Sequence, residues 1–186
     1  RGLGDVYKRQ DKALIALEGF GLLKMNENFD VVNKIKYNRN SSNSLSQKSI
    51  YEIFVDNDNV YWLGLREVGI DLIYPSDNAF KNIFYVPYKS NSINNNYIRS
   101  IYFQKNGNVW FGTENGISKL SIDGKWTNYN TKSSLSNKAV LTINKFREQL
   151  LLGVYGSGLL LFNPKTGETK DFPLIEKEKK SKLIFT

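Results

Sequence analysis

Asn108-Val-Trp-Phe-Gly-Thr113, followed by Glu114-Asn115-Gly116-Ile117, is the stretch whose recurrence decides the fold. Trp62-Leu-Gly64 stands 48 residues before Trp110-Phe-Gly112, and Leu151-Leu-Gly153 stands 41 residues after it. Each copy has a leader: Ser44-Leu-Ser46, Ser92-Ile-Asn94 and Ser134-Leu-Ser136, spaced by 48 and 42. Apolar pairs three apart lie between leader and motif, at Ile50/Ile53, Ile98/Ile101 and Val140/Ile143. A second glycine with an apolar follower closes the set, at Gly69-Ile70, Gly116-Ile117 and Gly158-Leu159. Features held in one register across copies mark a structural repeat. A partial copy precedes them, in which Leu14-Ile-Ala16 and Gly21-Leu22 occupy the same offsets and Ala replaces the first glycine.

Each unit reads as four short strands. The first is of the Ile50–Val55 type. The second covers Val60–Leu65, Val109–Thr113 or Leu150–Val154. The third covers Ile70–Tyr74, Ile117–Ser121 or Leu159–Asn163, and the fourth ends on an aromatic at Tyr85, Tyr129 or Phe172. Turn residues separate them, with Asn106-Gly107 the strongest hairpin signal because both residues tolerate positive φ. No segment sustains a helical period. Ile50-Tyr-Glu-Ile-Phe-Val55 is apolar on both parities, as in a strand sandwiched between neighbouring sheets. Four strands per unit at this period predict an all-β fold, a partial β-propeller of about three and a half four-stranded blades. The strand-two tryptophans are expected to pack between blades, and the glycine after them to allow a close approach or a bulge.

The predicted boundaries are a partial blade at 11–43 and blades at 44–91, 92–133 and 134–174, with 175–186 a basic tail or the first strand of a next blade. Arg1-Gly-Leu-Gly-Asp-Val-Tyr-Lys-Arg-Gln10 fits no part of the repeat and reads as a non-native leader outside the fold. A seven-bladed ring needs about 300 residues at this period. The chain is therefore expected to be a fragment whose open edges favour self-association.

The chain has 186 residues, a net charge of +8, no cysteine and no histidine. That composition excludes a disulfide scaffold, a Ser-His-Asp triad, a Cys nucleophile and a His/Cys zinc site. No metal or cofactor is expected. Half of the net charge sits in residues 1–10 and 176–182, a pattern of solvated termini that gives no support for a nucleic-acid partner. Gly153-Val-Tyr-Gly-Ser-Gly158 lacks the lysine and helix of a phosphate loop. Asp56, Asp58, Glu67 and Glu114 are turn or loop acids with no sign of a converging catalytic pair.

Strands alternate in direction, so the loops leading into strand one share a face with the loops joining strands two and three. A ligand on that face would meet Arg66, Glu67, Asn94, Asn95, Asn96, Glu114, Asn115 and Tyr155. Amides, an arginine and a phenol suit sugar hydroxyls and uronate carboxylates. The same Ser and Asn residues also suit turns that bond their own backbone, and both readings stay open.

Ser134-Leu-Ser-Asn-Lys-Ala-Val-Leu-Thr-Ile143 and Leu150-Leu-Leu-Gly-Val-Tyr-Gly-Ser-Gly-Leu159 resemble the two-component regulator propeller repeat. So do Ser92-Ile-Asn94 and Asn108–Thr113 with Gly116-Ile117. The departures are Leu151 for Trp, Ala16 for Gly and the absence of a double glycine before strand three. The resemblance covers about 160 residues, Asp11–Phe172. It implies a non-enzymatic segment of a periplasmic sensor propeller, part of a membrane-bound hybrid histidine kinase of the Bacteroidetes type. The implied partners are an oligosaccharide ligand, further blades of the same chain, a second receptor copy, and a membrane reached only through a C-terminal span outside this sequence. The competing readings are a propeller of a glycan-active hydrolase or lyase, and a protein-interaction scaffold.

Overall fold

A computed structural model describes residues 3–9, 12–41, 43–76, 79–130 and 134–172. The described residues contain sixteen strands and no helix, arranged as four antiparallel four-stranded sheets, each in chain order. The first sheet is β1 (Leu3–Arg9), β2 (Lys12–Leu17), β3 (Gly21–Met25) and β4 (Val31–Ile35). The second is β5 (Ile50–Val55), β6 (Tyr61–Leu65), β7 (Ile70–Tyr74) and β8 (Ala79–Ile83). The third is β9 (Ile98–Phe103), β10 (Val109–Thr113), β11 (Gly116–Leu120) and β12 (Trp126–Tyr129). The fourth is β13 (Val140–Phe146), β14 (Gln149–Val154), β15 (Gly158–Phe162) and β16 (Thr169–Asp171). The expected tail at 175–186 lies outside the described residues.

Leu3–Arg9 corrects one expectation. Read from the sequence as outside the fold, it pairs along β2 from Leu3↔Leu17 to Arg9↔Lys12 as strand one of the first sheet. The Asp5 carboxylate accepts from the Ile53 N–H at 2.8 Å. The sheet count is thus four rather than three and a half, because β1 completes the partial copy.

The strand one–two hairpins carry a second correction. Gln104 N–H donates to Asn108 O and Gly107 N–H to Gln104 O, both at 2.9 Å, and only Gly107 takes positive φ (84°). This is a turn with a single left-handed residue, not one in which Asn106 shares the positive φ. Asn59 does the same in the second sheet (φ 60°), where the Asp56 carboxylate accepts from Asp58 N–H, Val60 N–H and Trp62 Nε1–H. An acidic first turn residue thereby replaces the glycine's conformational freedom with side-chain hydrogen bonds.

The chain forms two compact units, one with the first two sheets and Asn95–Ile98, the other with Lys89–Asn94 and the third and fourth sheets from Arg99 on. In the first unit Leu14, Ala16, Leu22, Leu45, Ile50, Ile53, Leu63 and Leu65 form one buried cluster, with Tyr7 and Tyr61 packed on it. In the second, Trp110 lies between its sheets, stacked on Tyr129 at 5.8 Å and edge-on to Phe162 at 5.7 Å. The whole of β10 is buried, as a strand enclosed on both faces requires. Gly112 explains the glycine after the motif: a Cβ there would stand 2.4 Å from the Val140 carbonyl oxygen, so the neighbouring backbone excludes any side chain.

The leaders are anchors. Their middle residues Leu45, Ile93 and Leu135 are buried, and the residue after the first two is latched to strand three. Asp71, itself buried, accepts from Ser46 N–H and Ser46 Oγ–H at 2.7 Å and from Asn82 Nδ2–H at 2.9 Å. One repeat later Ser118 Oγ accepts from Asn94 N–H at 3.1 Å and donates to Asn128 Oδ1 at 2.7 Å.

Candidate functional site

In both units the strand two–three hairpins are tied by backbone hydrogen bonds to the segments that lead into strand one. Gly21 N–H donates to Lys48 O at 3.1 Å, Gly69 N–H to Asn96 O at 2.9 Å and Gly116 N–H to Lys138 O at 2.8 Å. Gly69 has φ 89°, and a Cβ on it would stand 2.0 Å from the Ile83 carbonyl oxygen. Conformation and space therefore both require glycine at the start of strand three.

In the first unit this device gathers Arg66, Glu67, Asn95 and Asn96. Arg66 and Glu67 are exposed side by side at the β6–β7 hairpin, Nε to Oε1 3.3 Å apart. Glu67 holds a left-handed backbone (φ 77°) that a side-chain-bearing residue rarely adopts, a strain that tends to mark functional loops. Gln47 steadies the hairpin by donating from Nε2 to Arg66 O at 2.9 Å and accepting from Ser49 N–H at 2.8 Å. The Asn95 side chain accepts from Tyr97 N–H at 2.7 Å, and the Asn96 side chain from Tyr85 N–H at 2.6 Å. The Tyr97 hydroxyl donates to Glu67, which together with desolvation raises the phenol above its ordinary 10.0.

Three residues of this cluster were not found by sequence reasoning: Phe84, Tyr85 and Tyr97. Strand four was expected to end on Tyr85, but β8 stops at Ile83. Phe84 and Tyr85 therefore lie beyond the sheet, 52% and 40% exposed, with the Phe84 backbone against Gly69. The signal available was the aromatic Phe84-Tyr85 pair itself, followed twelve residues later by Tyr97 at the end of an asparagine run.

In the second unit the device gathers Asn94, Glu114, Asn115 and Tyr155. Asn94 is buried at 7%, donating from Nδ2 to Asn115 O at 2.7 Å and accepting from Thr113 Oγ1–H at 3.1 Å. Its amide is thus taken up by the fold. Asn115 accepts from Asn137 N–H at 2.9 Å through Oδ1. Glu114 forms a half-buried ion pair with Arg99, across from it on β9. Tyr155 is 62% exposed, its N–H donated to Ala139 O at 2.9 Å.

Among the described residues no group of three or more acids gathers as a metal site. What the first-unit cluster presents is an adaptable ion pair, carboxamides, a phenol and exposed aromatic rings. That set can grip hydroxyls and carboxylates edge-on and sugar or ring faces flat.

Residues 92–115 match the two component regulator propeller family. The match spans the leader Ser92-Ile-Asn94 through the Trp110-Phe-Gly112 motif, and so includes the Asn94–Thr113 latch. The same fold occurs in the extracellular domains of two hybrid two component systems from B. thetaiotaomicron. One is 22% identical with a TM-score of 0.77, covering 92% of this chain and 24% of that one. The other is 17% identical with a TM-score of 0.70, covering 93% and 24%. The chain thus spans about a quarter of the length of those domains. A streptogramin B lyase is 15% identical with a TM-score of 0.63, covering 93% of this chain and 55% of the lyase. No curated protein sequence matches the chain. These likenesses establish a propeller-type arrangement of the strands in each sheet.

Proposed function

We propose that the chain is a segment of the extracytoplasmic sensor of a membrane-bound hybrid two-component kinase. In this reading it holds an oligosaccharide against Arg66, Glu67, Asn95, Asn96 and Tyr97, with Phe84 and Tyr85 stacking on sugar rings. The observation that carries the reading is the exposed aromatic pair beside a strained Arg-Glu hairpin, in the sheet that precedes the stretch matching this family at residues 92–115. An exposed ion pair contributes only about 0–1 kcal/mol to stability, so Arg66 and Glu67 can reorganise around a ligand at little cost. Bound ligand would favour one packing of a receptor pair over another, and the membrane span would pass that bias to the kinase. Location on the periplasmic side, the receptor pair and the further blades belong to the same proposal.

Isothermal titration of the full chain against a panel of neutral and uronate-containing oligosaccharides tests it. At least one sugar should bind, and Arg66→Ala and Tyr97→Phe should each weaken binding about tenfold, the loss of one good hydrogen bond. Equal binding by all three proteins, or no binding across the panel, would overturn it.

A second reading draws on the streptogramin B lyase fold likeness: a catalytic propeller of lyase or glycan-hydrolase type. Product analysis of the same titration samples separates the two. Cleaved or eliminated products that vanish in Glu67→Gln would favour the enzyme, and intact sugar recovered from the complex favours the sensor.

A further inference from the structure

Asn106 and Asn115 are the asparagines of the chain that precede a glycine, and the fold treats them differently. Asn106 is exposed in the β9–β10 hairpin, and the hydrogen bonds at Asn106-Gly107 stay within that hairpin. Its Oδ1 accepts from Asn108 N–H at 3.2 Å, and Gly107 N–H donates to Gln104 O at 2.9 Å. Asn115 is half-buried and tied to two other segments. Its backbone oxygen accepts from Asn94 Nδ2–H at 2.7 Å and its Oδ1 from Asn137 N–H at 2.9 Å, while Gly116 N–H donates to Lys138 O at 2.8 Å.

We propose that Asn106 is a site of spontaneous deamidation, and that the fold protects Asn115 despite the same following glycine. The Gly107 nitrogen attacks Asn106 Cγ and gives up its proton. The side-chain nitrogen leaves as ammonia, and a five-membered succinimide remains. Water then opens the ring. Breaking the Cγ–N bond leaves aspartate, and breaking the original peptide C–N bond leaves isoaspartate. Glycine favours the attack because no side chain crowds its nitrogen. Asn108 N–H donates to the oxygen on which charge builds, which lowers the barrier. Asn137 N–H gives Asn115 the same help, so what separates the two sites is backbone freedom. At Asn106 one exposed turn must open, which costs little free energy. At Asn115 the bonds to Asn94 and Lys138 must break as well, and their cost adds to the barrier.

The two products act differently on the turn. Gln104 and Asp56 are equivalent, since each accepts the Nε1–H of the tryptophan six residues on, at 3.2 and 2.9 Å. Asn106 therefore stands where the second sheet carries Asp58, and aspartate suits a turn of this kind. Isoaspartate routes the main chain through Cβ and Cγ, one atom longer. That moves Gly107 N–H out of register with Gln104 O and loosens the turn that also holds Trp110.

The test incubates the full chain in mildly alkaline buffer at body temperature, with and without urea, and maps its peptides by mass spectrometry at intervals. Isoaspartate is counted by methylation with a protein isoaspartyl methyltransferase. In buffer Asn106 should convert at least about tenfold faster than Asn115, the equivalent of about 1.4 kcal/mol of barrier, and in urea the two rates should draw together to within about twofold. Asn106→Gln should remove most of the methylatable signal that appears in buffer, because the longer side chain would have to close a six-membered ring. Asn106→Asp should keep the parent's urea midpoint, and the isoaspartyl fraction should unfold at a lower one. Equal rates at the two asparagines in buffer, faster conversion of Asn115, a rate ratio that persists in urea, or no conversion of Asn106 would overturn the proposal. A midpoint for Asn106→Asp as low as that of the isoaspartyl fraction would overturn the equivalence with Asp58.

Discussion

The two units each place an arginine–glutamate pair at the loop end of their strands, and they use it differently. Arg66 and Glu67 are neighbours on one hairpin, 46% and 48% exposed, and touch 3.3 Å apart. Arg99 on β9 and Glu114 in the β10–β11 hairpin belong to one sheet and are each 32% exposed. The asparagines follow suit. Asn96 sits half-buried beside exposed aromatics, whereas Asn94 is 7% exposed and bonded at both ends of its amide. The repeat thus fixes where such residues occur but not whether the fold needs them. A buried amide bonded at both ends is part of the scaffold, and a partly exposed one bonded at a single end keeps a group for a ligand.

The largest effect expected on this comparison comes from the latch that both units share. Asp71→Ala should lower stability by about 3 kcal/mol, since it removes a buried carboxylate with three donors and leaves the Ser46 N–H and hydroxyl without their acceptor. Urea unfolding measures it, and a loss below about 1 kcal/mol would mean the latch is not structural. Asn94→Ala should cost about 2 kcal/mol by removing a buried amide that donates to Asn115 O and accepts from the Thr113 hydroxyl, which keeps only its bonds to Gly116 O and Asn115 N–H. Asn96→Ala, by contrast, should fall within about 1 kcal/mol in the same assay, because Tyr85 N–H can turn to water. If the two asparagine variants are equally harmful, the distinction between the clusters fails.

Smaller effects sharpen the same point. Arg99→Ala should cost about 1 kcal/mol in thermal unfolding and Arg66→Ala about half that or less, as exposed pairs contribute little. The smallest signal is the titration of Tyr97. Its phenol is raised because the hydroxyl donates to Glu67, so Glu67→Gln should bring it back toward 10.0. The linkage is that of an acid with a raised folded value. Its stabilisation is fully present below pH 10 and is lost as pH rises through the folded value. Ultraviolet difference titration of Glu67→Gln against the parent reads the shift, and an unchanged curve would remove the Tyr97–Glu67 bond from the site.

Much of the fold was legible because its signals are short-range. Ile50–Val55, Val109–Thr113 and Ile70–Tyr74 are strands with the bounds their patterns predict. Turn types were less legible. Asn106-Gly107 gives the position of a turn, yet the hydrogen bonds to Gln104 and Asn108 decide that only Gly107 is left-handed. The strand at Leu3–Arg9 was missed because its sequence lacks the repeat; its place follows from pairing to β2, a relation between segments. The site was half legible for a similar reason. Loop position grouped Arg66, Glu67, Asn95 and Asn96, which do lie together, but nothing in Asn94 itself distinguishes it from Asn96. Only the partner strand does, through Thr113 and Ser118. Phe84 and Tyr85 were absorbed into strand four because an aromatic closes that strand elsewhere, at Tyr129.

Hydrogen–deuterium exchange of the full chain, with and without the tightest-binding oligosaccharide of the panel, tests the central claim most directly. The account predicts that bound sugar slows exchange in residues 66–69, 84–85 and 95–97 and leaves 114–115 and 137–139 unchanged. Slowing confined to the second unit's loops, with 66–69 and 95–97 unaffected, would contradict it.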